Sequence, residues 1–380
     1  MIPISKPIIK KEEVENVRKV LESGWLVEGK YTQELEREFS EYTGIRNVVA
    51  CSNGTVALQL ALEALEMEPG AEIITTPFTF IATANAILHA GHIPIFVDIE
   101  RNTFNIDPEK VKKAITERTK AILAVHIFGL PSRMNDLKEI AEEKGLYLIE
   151  DCAQAHGAKI NNVHVGNFGD IACFSMYATK NMACGEGGLV ATNNDELAER
   201  IRMLKNHGRG PEGGYMHYRI GYNMRITDLA SAIALPQLQR LEENVKIRNR
   251  NARIILESIQ DTKISYQIIP EGYRHAYHIL ALTYNEKKID GIIKGLKSRG
   301  ISSRRVYHTP IYRQPAYIHI SKWKWARYIK YPDYRNLKLK VTEEISKKHF
   351  EVPVHPSISE EQAEYIGKSL NEILRSLNDM

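Results

Sequence analysis

An α/β/α sandwich built on about seven mostly parallel strands, followed by a smaller α+β domain, is the fold class this sequence predicts. Three observations carry it. Short runs rich in Val, Ile and Leu recur through the first half of the chain, several apolar throughout, as in strands buried on both faces. Amphipathic helical patterns lie between them, the alternation that joins parallel strands through crossover helices. Finally, 380 residues exceed the ~150 of a typical domain, and the composition shifts after residue 262 toward Tyr, Lys and Ile with fewer long apolar runs.

Taken in order, strands are expected at 47–52 (NVVACS), 72–76 (EIITT), 93–98 (IPIFVD), 120–127 (KAILAVHI), 146–150 (LYLIE), 170–175 (DIACFS) and 187–192 (GGLVAT). Helices are expected at 55–66, 82–90, 108–116, 134–144 and 194–206. After a Gly- and Tyr-rich loop at 207–224, with little apolar surface of its own, residues 227–256 read as one long helix. Thr227 or Asp228 starts it and Pro236 bends it. A final helix is expected at 359–376. The domains are taken as 1–245 and 246–380, packed closely because no low-complexity linker separates them.

Composition excludes several function classes. A net charge of +4 with no run of five basic residues gives no case for nucleic-acid binding. Hydrophobic residues at 43% and charged residues at 26% exclude general disorder. No apolar run approaches the ~18–20 residues of a membrane span. The start, MIPISKPIIKKEE, has no signal-peptide core, so a cytoplasmic location is expected. Cys51, Cys152, Cys173 and Cys184 form no CxxC and read as reduced, packed thiols.

Two local patterns are set aside. Gly208-Arg-Gly-Pro-Glu-Gly213 has the letters of a dinucleotide loop, but a helix rather than a strand precedes it and Pro211 interrupts it. His89 and His92 lack a clustered acidic or Cys ligand and read as two solvated histidines after a helix; no metal is expected.

The informative stretch is 146–192. An apolar strand delivers Glu150-Asp151 to its carboxyl end, where open α/β sheets bind ligands. Asp151 there is either a turn residue or a carboxylate facing a cation such as a protonated heterocycle. Lys180 follows the next strand among Ala178, Thr179, Met182 and Ala183, beside the turn Gly185-Glu186-Gly187-Gly188. Desolvation lowers a lysine's pKa and frees its amine to condense with a carbonyl. An Asp and a partly buried Lys at neighbouring strand ends are the pair that pyridoxal phosphate requires. Ser52-Asn53-Gly54-Thr55, between a strand and a helix start, is either a plain N-cap or a phosphate cradle.

These segments resemble the sugar aminotransferases of the DegT/DnrJ/EryC1/StrS family, perosamine-synthase-like members among the nearest. The similarity runs nearly end to end, through SGWLVEGKYTQELEREF, NGTVALQLAL, TTPFTFIATANAI, IEDCAQAHGA, CFSMYATKNMACGEGG, GYNMRITDLASAIALPQLQRL and RRVYHTPIYRQPAY. It implies the type I pyridoxal-phosphate fold, pyridoxal 5'-phosphate as cofactor, and amination of a nucleotide-linked keto-sugar with glutamate as donor. It further implies a homodimer with shared active sites. Lys180 corresponds to the Schiff-base lysine, Asp151 to the partner of the pyridine nitrogen, and Gln154 to a glutamine near the cofactor hydroxyl. Phe80 corresponds to the ring-stacking aromatic; Gly54, Thr55 and Ser175 to phosphate-cradle positions; Asn223 to an asparagine reaching the neighbouring subunit's phosphate. Trp25, His207, Arg304, His308 and Tyr312 fall in regions lining the sugar-nucleotide site. Asn53, Met224 and the segment YHTPIY depart from the family's commoner residues, which bears on substrate recognition. A dehydratase relative or a non-catalytic regulator would share the fold, but relatives that have lost transamination typically carry histidine at the lysine position.

Overall fold

The computed structural model describes residues 1–378. All seven expected strands form one sheet: β1 (Asn47–Cys51), β2 (Glu72–Thr75), β3 (Ile93–Phe96), β4 (Thr119–Val125), β5 (Tyr147–Asp151), β6 (Ile171–Ser175) and β7 (Gly188–Thr192). Their spatial order is β1-β7-β6-β5-β4-β2-β3. Pairing is parallel from β6 through β3, and β7 lies antiparallel between β1 and β6. The cause is the connection: parallel neighbours need a crossover helix, and the chain between β6 and β7 holds none.

Seven α-helices lie up to residue 205: α1 (Lys11–Ser23), α2 (Lys30–Thr43), α3 (Gly54–Ala64), α4 (Ala82–His89), α5 (Pro108–Ala114), α6 (Met134–Lys144) and α7 (Asp195–Lys205). The sequence reading had named none before residue 47, so α1 and α2 are additions. Strand alternation divides the core. Val49, Cys51, Cys173 and Val190 pack toward α3 and α7, while Val48, Ala50, Phe174 and Leu189 pack toward α2. All four cysteines are free and buried, as expected.

The expected long helix is two, α8 (Asp228–Gln239) and α9 (Leu241–Ser258), broken at Arg240 rather than at Pro236. Pro236 sits inside α8, where its missing N–H leaves the Ala232 carbonyl short of a donor; Asn16 Nδ2 supplies one at 3.4 Å. Thr227 caps α8 as expected, accepting from Ala230 N–H. Arg240 turns out of the helix and pairs with buried Glu13.

Residue 245 falls inside α9. Its first turns place Leu241 and Val245 against the large sheet, and its later turns place Ala252 and Ile255 in a separate C-terminal core. That core lies between α9, α10 (Ile289–Ser298) and a small antiparallel sheet of Ser265–Tyr266, Leu280–Thr283 and His349–Val352. The last helix, α13 (Glu360–Asn378), completes it, whereas the short α11 (Pro315–Ile318) and α12 (Lys340–Lys348) bury Tyr317 and Ile345 in clusters shared with the large sheet. The first residues of the chain are stitched into this late region. Ile2 bridges Ile301 in parallel, and His355 Nε2 lies 3.0 Å from the Pro3 carbonyl.

Two further expectations are corrected. His89 is exposed, but His92 is buried rather than solvated, and burial pushes its imidazole down to about 4. The loop 207–224 is a projecting arm closed by the bridges Asn206–Asn223 and Arg209–His217. It is far from polar: Tyr215, Met216 and Tyr218 are exposed, and Ile220 is 96% exposed. Among the described residues, no helix is long and apolar enough to cross a membrane.

Candidate active site

Parallel strands end together, so their carboxyl ends gather the side chains that follow. Asp151 closes β5, the middle strand, and is 4% exposed. Each of its oxygens takes one donor: Thr83 Oγ1 at 2.9 Å from α4 and Ala153 N–H at 3.1 Å. Burial pushes this carboxyl up, opposed by those two hydrogen bonds and by the charge of Lys180. Among the described residues it forms no ion pair, and Lys180 acts on it only through its charge.

Lys180 follows β6 in the irregular connection to β7, held by its own N–H on the Tyr177 carbonyl. Partly exposed, its amine makes no hydrogen bond or ion pair among the described residues. Burial pushes it down to about 8; Asp151 opposes this and the guanidinium of Arg304 adds to it. A neutralisable amine beside a cation-poor carboxylate fits pyridoxal phosphate at both ends of its ring. Uptake of that cofactor by the apo-protein is expected to accelerate as pH rises through about 8, because only the neutral amine reacts. Absorbance followed across pH checks this, and a midpoint near 10.5, the value of a solvated lysine, would contradict it.

The start of α3 lies at the same strand ends. Asn53 caps the helix, its Oδ1 accepting from Val56 N–H at 3.0 Å, which leaves the N–H groups of Gly54 and Thr55 for an anion. A Cβ on Gly54 would stand 2.6 Å from Ser175 Cβ, so only glycine lets the Ser175 hydroxyl approach the helix start. The N-cap reading holds, with Asn53 as the cap, and the N–H groups it leaves over are those a phosphate would use.

Gln154 is buried and fixed at both ends. Its Oε1 accepts from Phe128 N–H at 2.9 Å and its Nε2 donates to the Tyr307 hydroxyl at 3.1 Å. Phe80 precedes α4 and is 59% exposed, five residues after the end of β2 and three before Thr83. Arg304 Nε donates to Glu351 Oε2 at 3.0 Å. Glu351 is fully buried and pushed up to about 7 by that burial, against the pull of Arg304.

Not every expected residue joins this cluster within one chain. No hydrogen bond connects Trp25, His207, His308 or Asn223 to Lys180, Asp151 or Gln154, and all four are exposed. Trp25 Nε1 donates to the Glu28 carbonyl at 2.9 Å, and His207 and Asn223 sit at the base of the arm. Tyr312 is corrected. It is fully buried with Phe96 and Tyr317 nearby, and its hydroxyl donates to Glu343 at 2.9 Å, so it has no surface open to a ligand. Thr83, Tyr307 and Glu351 were missed. Tyr307 and Thr83 carried a signal, lying within the motifs RRVYHTPIY and TTPFTFIATANAI.

One buried group invites a metal reading: His126, Glu150 and Cys152 bring ligand atoms within 4.8 Å of one another. The hydrogen bonds decide against it. Glu150 accepts from Gly166, Phe168 and Gly169 N–H groups and from His126 Nε2 at 3.0 Å, while His126 Nδ1 accepts from Ser132 N–H. Both imidazole nitrogens and both carboxylate oxygens are thus already engaged, and burial pushes the Cys152 thiol well up, which keeps it protonated.

Comparison with known proteins gives the same answer over the whole chain. Residues 7–371 match the model of the DegT/DnrJ/EryC1/StrS aminotransferase family. A GDP-perosamine synthase of Escherichia coli O157:H7 is 34% identical over 98% of both chains. A UDP-N-acetyl-3-dehydro-alpha-D-glucosamine 3-aminotransferase of Acidithiobacillus ferrooxidans is 34% identical over 96% of this chain and 95% of that one. A protein of Geobacillus stearothermophilus named a pleiotropic regulatory protein is 35% identical over 97% and 95%. Among solved structures, a DegT DnrJ EryC1 StrS aminotransferase from Brucella abortus has a TM-score of 0.87 at 32% identity, covering 97% of this chain and 96% of that one. NtdA from Bacillus subtilis, solved with bound cofactor PMP, has a TM-score of 0.86 at 29% identity, over 97% and 83%.

Proposed function

The chain belongs to the DegT/DnrJ/EryC1/StrS aminotransferase family, and from that premise we propose that it moves the amino group of glutamate onto a nucleotide-linked keto-sugar. That it is a pyridoxal-phosphate-dependent sugar aminotransferase follows from the family and its relatives. The nucleotide and the donor are the further reading. The observation that carries the chemistry is the unpartnered, partly desolvated amine of Lys180 beside buried Asp151.

Pyridoxal phosphate supplies an aldehyde carbon that accepts an amine and a protonated ring that draws electrons from the bonds around it. The protein does the rest. Gly54, Thr55 and Ser175 would hold the phosphate through backbone N–H groups and a hydroxyl. Asp151, fixed by Thr83 and Ala153, would keep a proton on the ring nitrogen. Gln154, fixed by Phe128 and Tyr307, is the residue for the ring hydroxyl, and Phe80 the one for stacking on the ring. Lys180, as a neutral amine, would move the proton at the donor's α-carbon as base and acid. Arg304, His308, Trp25 and His207 are the residues for the anionic substrate. Residues 1–245 are read as the cofactor-binding domain and 246–380 as the smaller one.

The name of the regulatory relative does not favour a non-catalytic reading here, since Lys180, Asp151, Gln154 and the cradle are all present. A panel of nucleotide keto-sugars offered with glutamate, read by mass spectrometry, tests the proposal. Gain of one amino group on at least one panel member supports it; amination of free sugars only, or from other donors only, overturns it.

The dimer belongs to the same proposal. The exposed apolar arm calls for a partner surface, and a second copy bringing Asn223 to the phosphate would provide one. The alternative is local, because Ser52 N–H donates to the Met224 carbonyl at 2.9 Å, placing the arm's base beside its own cradle. Mixed dimers separate the two. Reassembling Lys180→Ala with Asn223→Asp, half the dimers are mixed, and each has one site with both lesions and one with neither. Activity is expected to recover to about a quarter of the parent's, measured against each variant reassembled alone. No recovery, with mixed dimers confirmed by mass, assigns Asn223 to its own chain's site or to none.

A further inference from the structure

One surface segment differs in charge from everything around it. Residues 319–340, HISKWKWARYIKYPDYRNLKLK, carry seven Lys and Arg against the single Asp333, a net +6, while the whole chain is +4; all other residues together are therefore net −2. Asp333 is spent, held by both Nε and Nη2 of Arg335 at 2.8 Å. Lys322, Lys324, Arg327, Lys330, Lys338 and Lys340 are exposed and make no ion pair among the described residues.

The segment has two sides. Tyr317, Ile320 and Tyr334 are buried beside Phe96 and Leu88, and Trp323 meets His89 edge-on at 5.4 Å, which anchors the backbone. The opposite side presents Trp325 and Tyr328, the latter 80% exposed, among the unpaired cations. It also lies far from the chemistry. Tyr334 donates to the carbonyl of Pro94 near the start of β3, and Ile329 reaches Gly70, ahead of β2, whereas Asp151 and Ser175 stand at the opposite, carboxyl ends of the strands. Among the described residues, no hydrogen bond joins this segment to Lys180, Asp151 or Gln154.

We propose that this segment docks the protein on an anionic phospholipid surface. Unpaired cations supply the charge complement of an acidic headgroup layer, an attraction felt within about a Debye length. Trp and Tyr, apolar in body and polar at the tip, are the aromatic residues that settle at headgroup depth. A single-stranded nucleic acid carries the same charge but binds by stacking on open ring faces. Here Lys324 lies over both Trp323 and Trp325, at 5.5 and 5.4 Å, and the Trp325 and Tyr328 rings are tilted by 59° rather than aligned as a platform. Edges and tips remain free, which is what headgroup insertion uses.

Co-sedimentation of the cofactor-loaded protein with vesicles tests this. Equal parts phosphatidylglycerol and phosphatidylcholine are expected to retain it at least about tenfold better than phosphatidylcholine alone, with retention lost in ~1 M salt. The double variant Trp325→Ser/Tyr328→Ser should weaken binding to anionic vesicles, and Lys322→Glu/Lys324→Glu/Lys330→Glu should abolish it. Both should aminate soluble substrate as the parent does, since none of these residues touches the site. Equal retention by neutral and anionic vesicles, no retention of the parent, or tighter binding to a single-stranded oligonucleotide than to anionic vesicles overturns the proposal.

Discussion

Lys180→Ala is expected to abolish amino transfer, with turnover falling at least ~10⁴-fold, about 5.4 kcal/mol of barrier. The variant loses both the amine that joins the cofactor and the group that moves the proton at the donor's α-carbon. Its Asp151, Gln154 and α3 cradle remain, so cofactor should still bind by its phosphate while the visible absorption of the parent disappears. Lys180→Arg should fail equally, because a guanidinium is never neutral near pH 8. Full activity in either variant would remove Lys180 from the mechanism. A stability signature accompanies this. The folded apo-protein releases the Lys180 proton at about 8 and the unfolded chain near 10.5, so between those values the unfolded state binds more protons and stability rises with pH. Melting temperatures of the apo-protein at pH 8 and 10 should show that rise in the parent and less of it in Lys180→Ala.

Asp151→Asn is expected to cost about 10³-fold in rate, ~4 kcal/mol, with the fold intact. An amide is isosteric and can keep the Thr83 and Ala153 bonds, but it carries no charge to hold a proton on the ring nitrogen. The neighbouring imidazole of His126 cannot take over, since Glu150 and Ser132 occupy both its nitrogens. Turnover within about tenfold of the parent, ~1.4 kcal/mol, would mean another group protonates the ring.

The seven strands were legible because burial on both faces demands unbroken runs of apolar residues, and such runs survive in the sequence as VVAC, AILAV and IACFS. The direction of β7 was less so: it depends on the absence of a helix between Ser175 and Gly188, and periodicity marks presence better than absence. α1 and α2 expose most of one face, so their apolar stripes are narrow, as in KEEVENVRKVLES. Pro236 misled because the loss of its N–H is compensated from α1, a partner no local window contains. The site divides the same way. Asp151, Lys180 and Gly54 announce themselves by position at strand ends and helix starts. Thr83 and Glu351 act through tertiary hydrogen bonds alone, and Tyr312 lies in a motif whose letters do not reveal that its side chain turns inward.

The pairing of Ile2 with Ile301, and of Pro3 with His355, sets an order of events during synthesis. Ile2 and Pro3 leave the ribosome roughly 300–350 residues before their partners. At ~5–20 residues per second they wait roughly 15–70 s for them, long after the strands of the large sheet are out. This segment stays open to proteases and chaperones throughout that interval, so a substitution that weakens the seam, such as Ile2→Asp, should lower the yield of native protein.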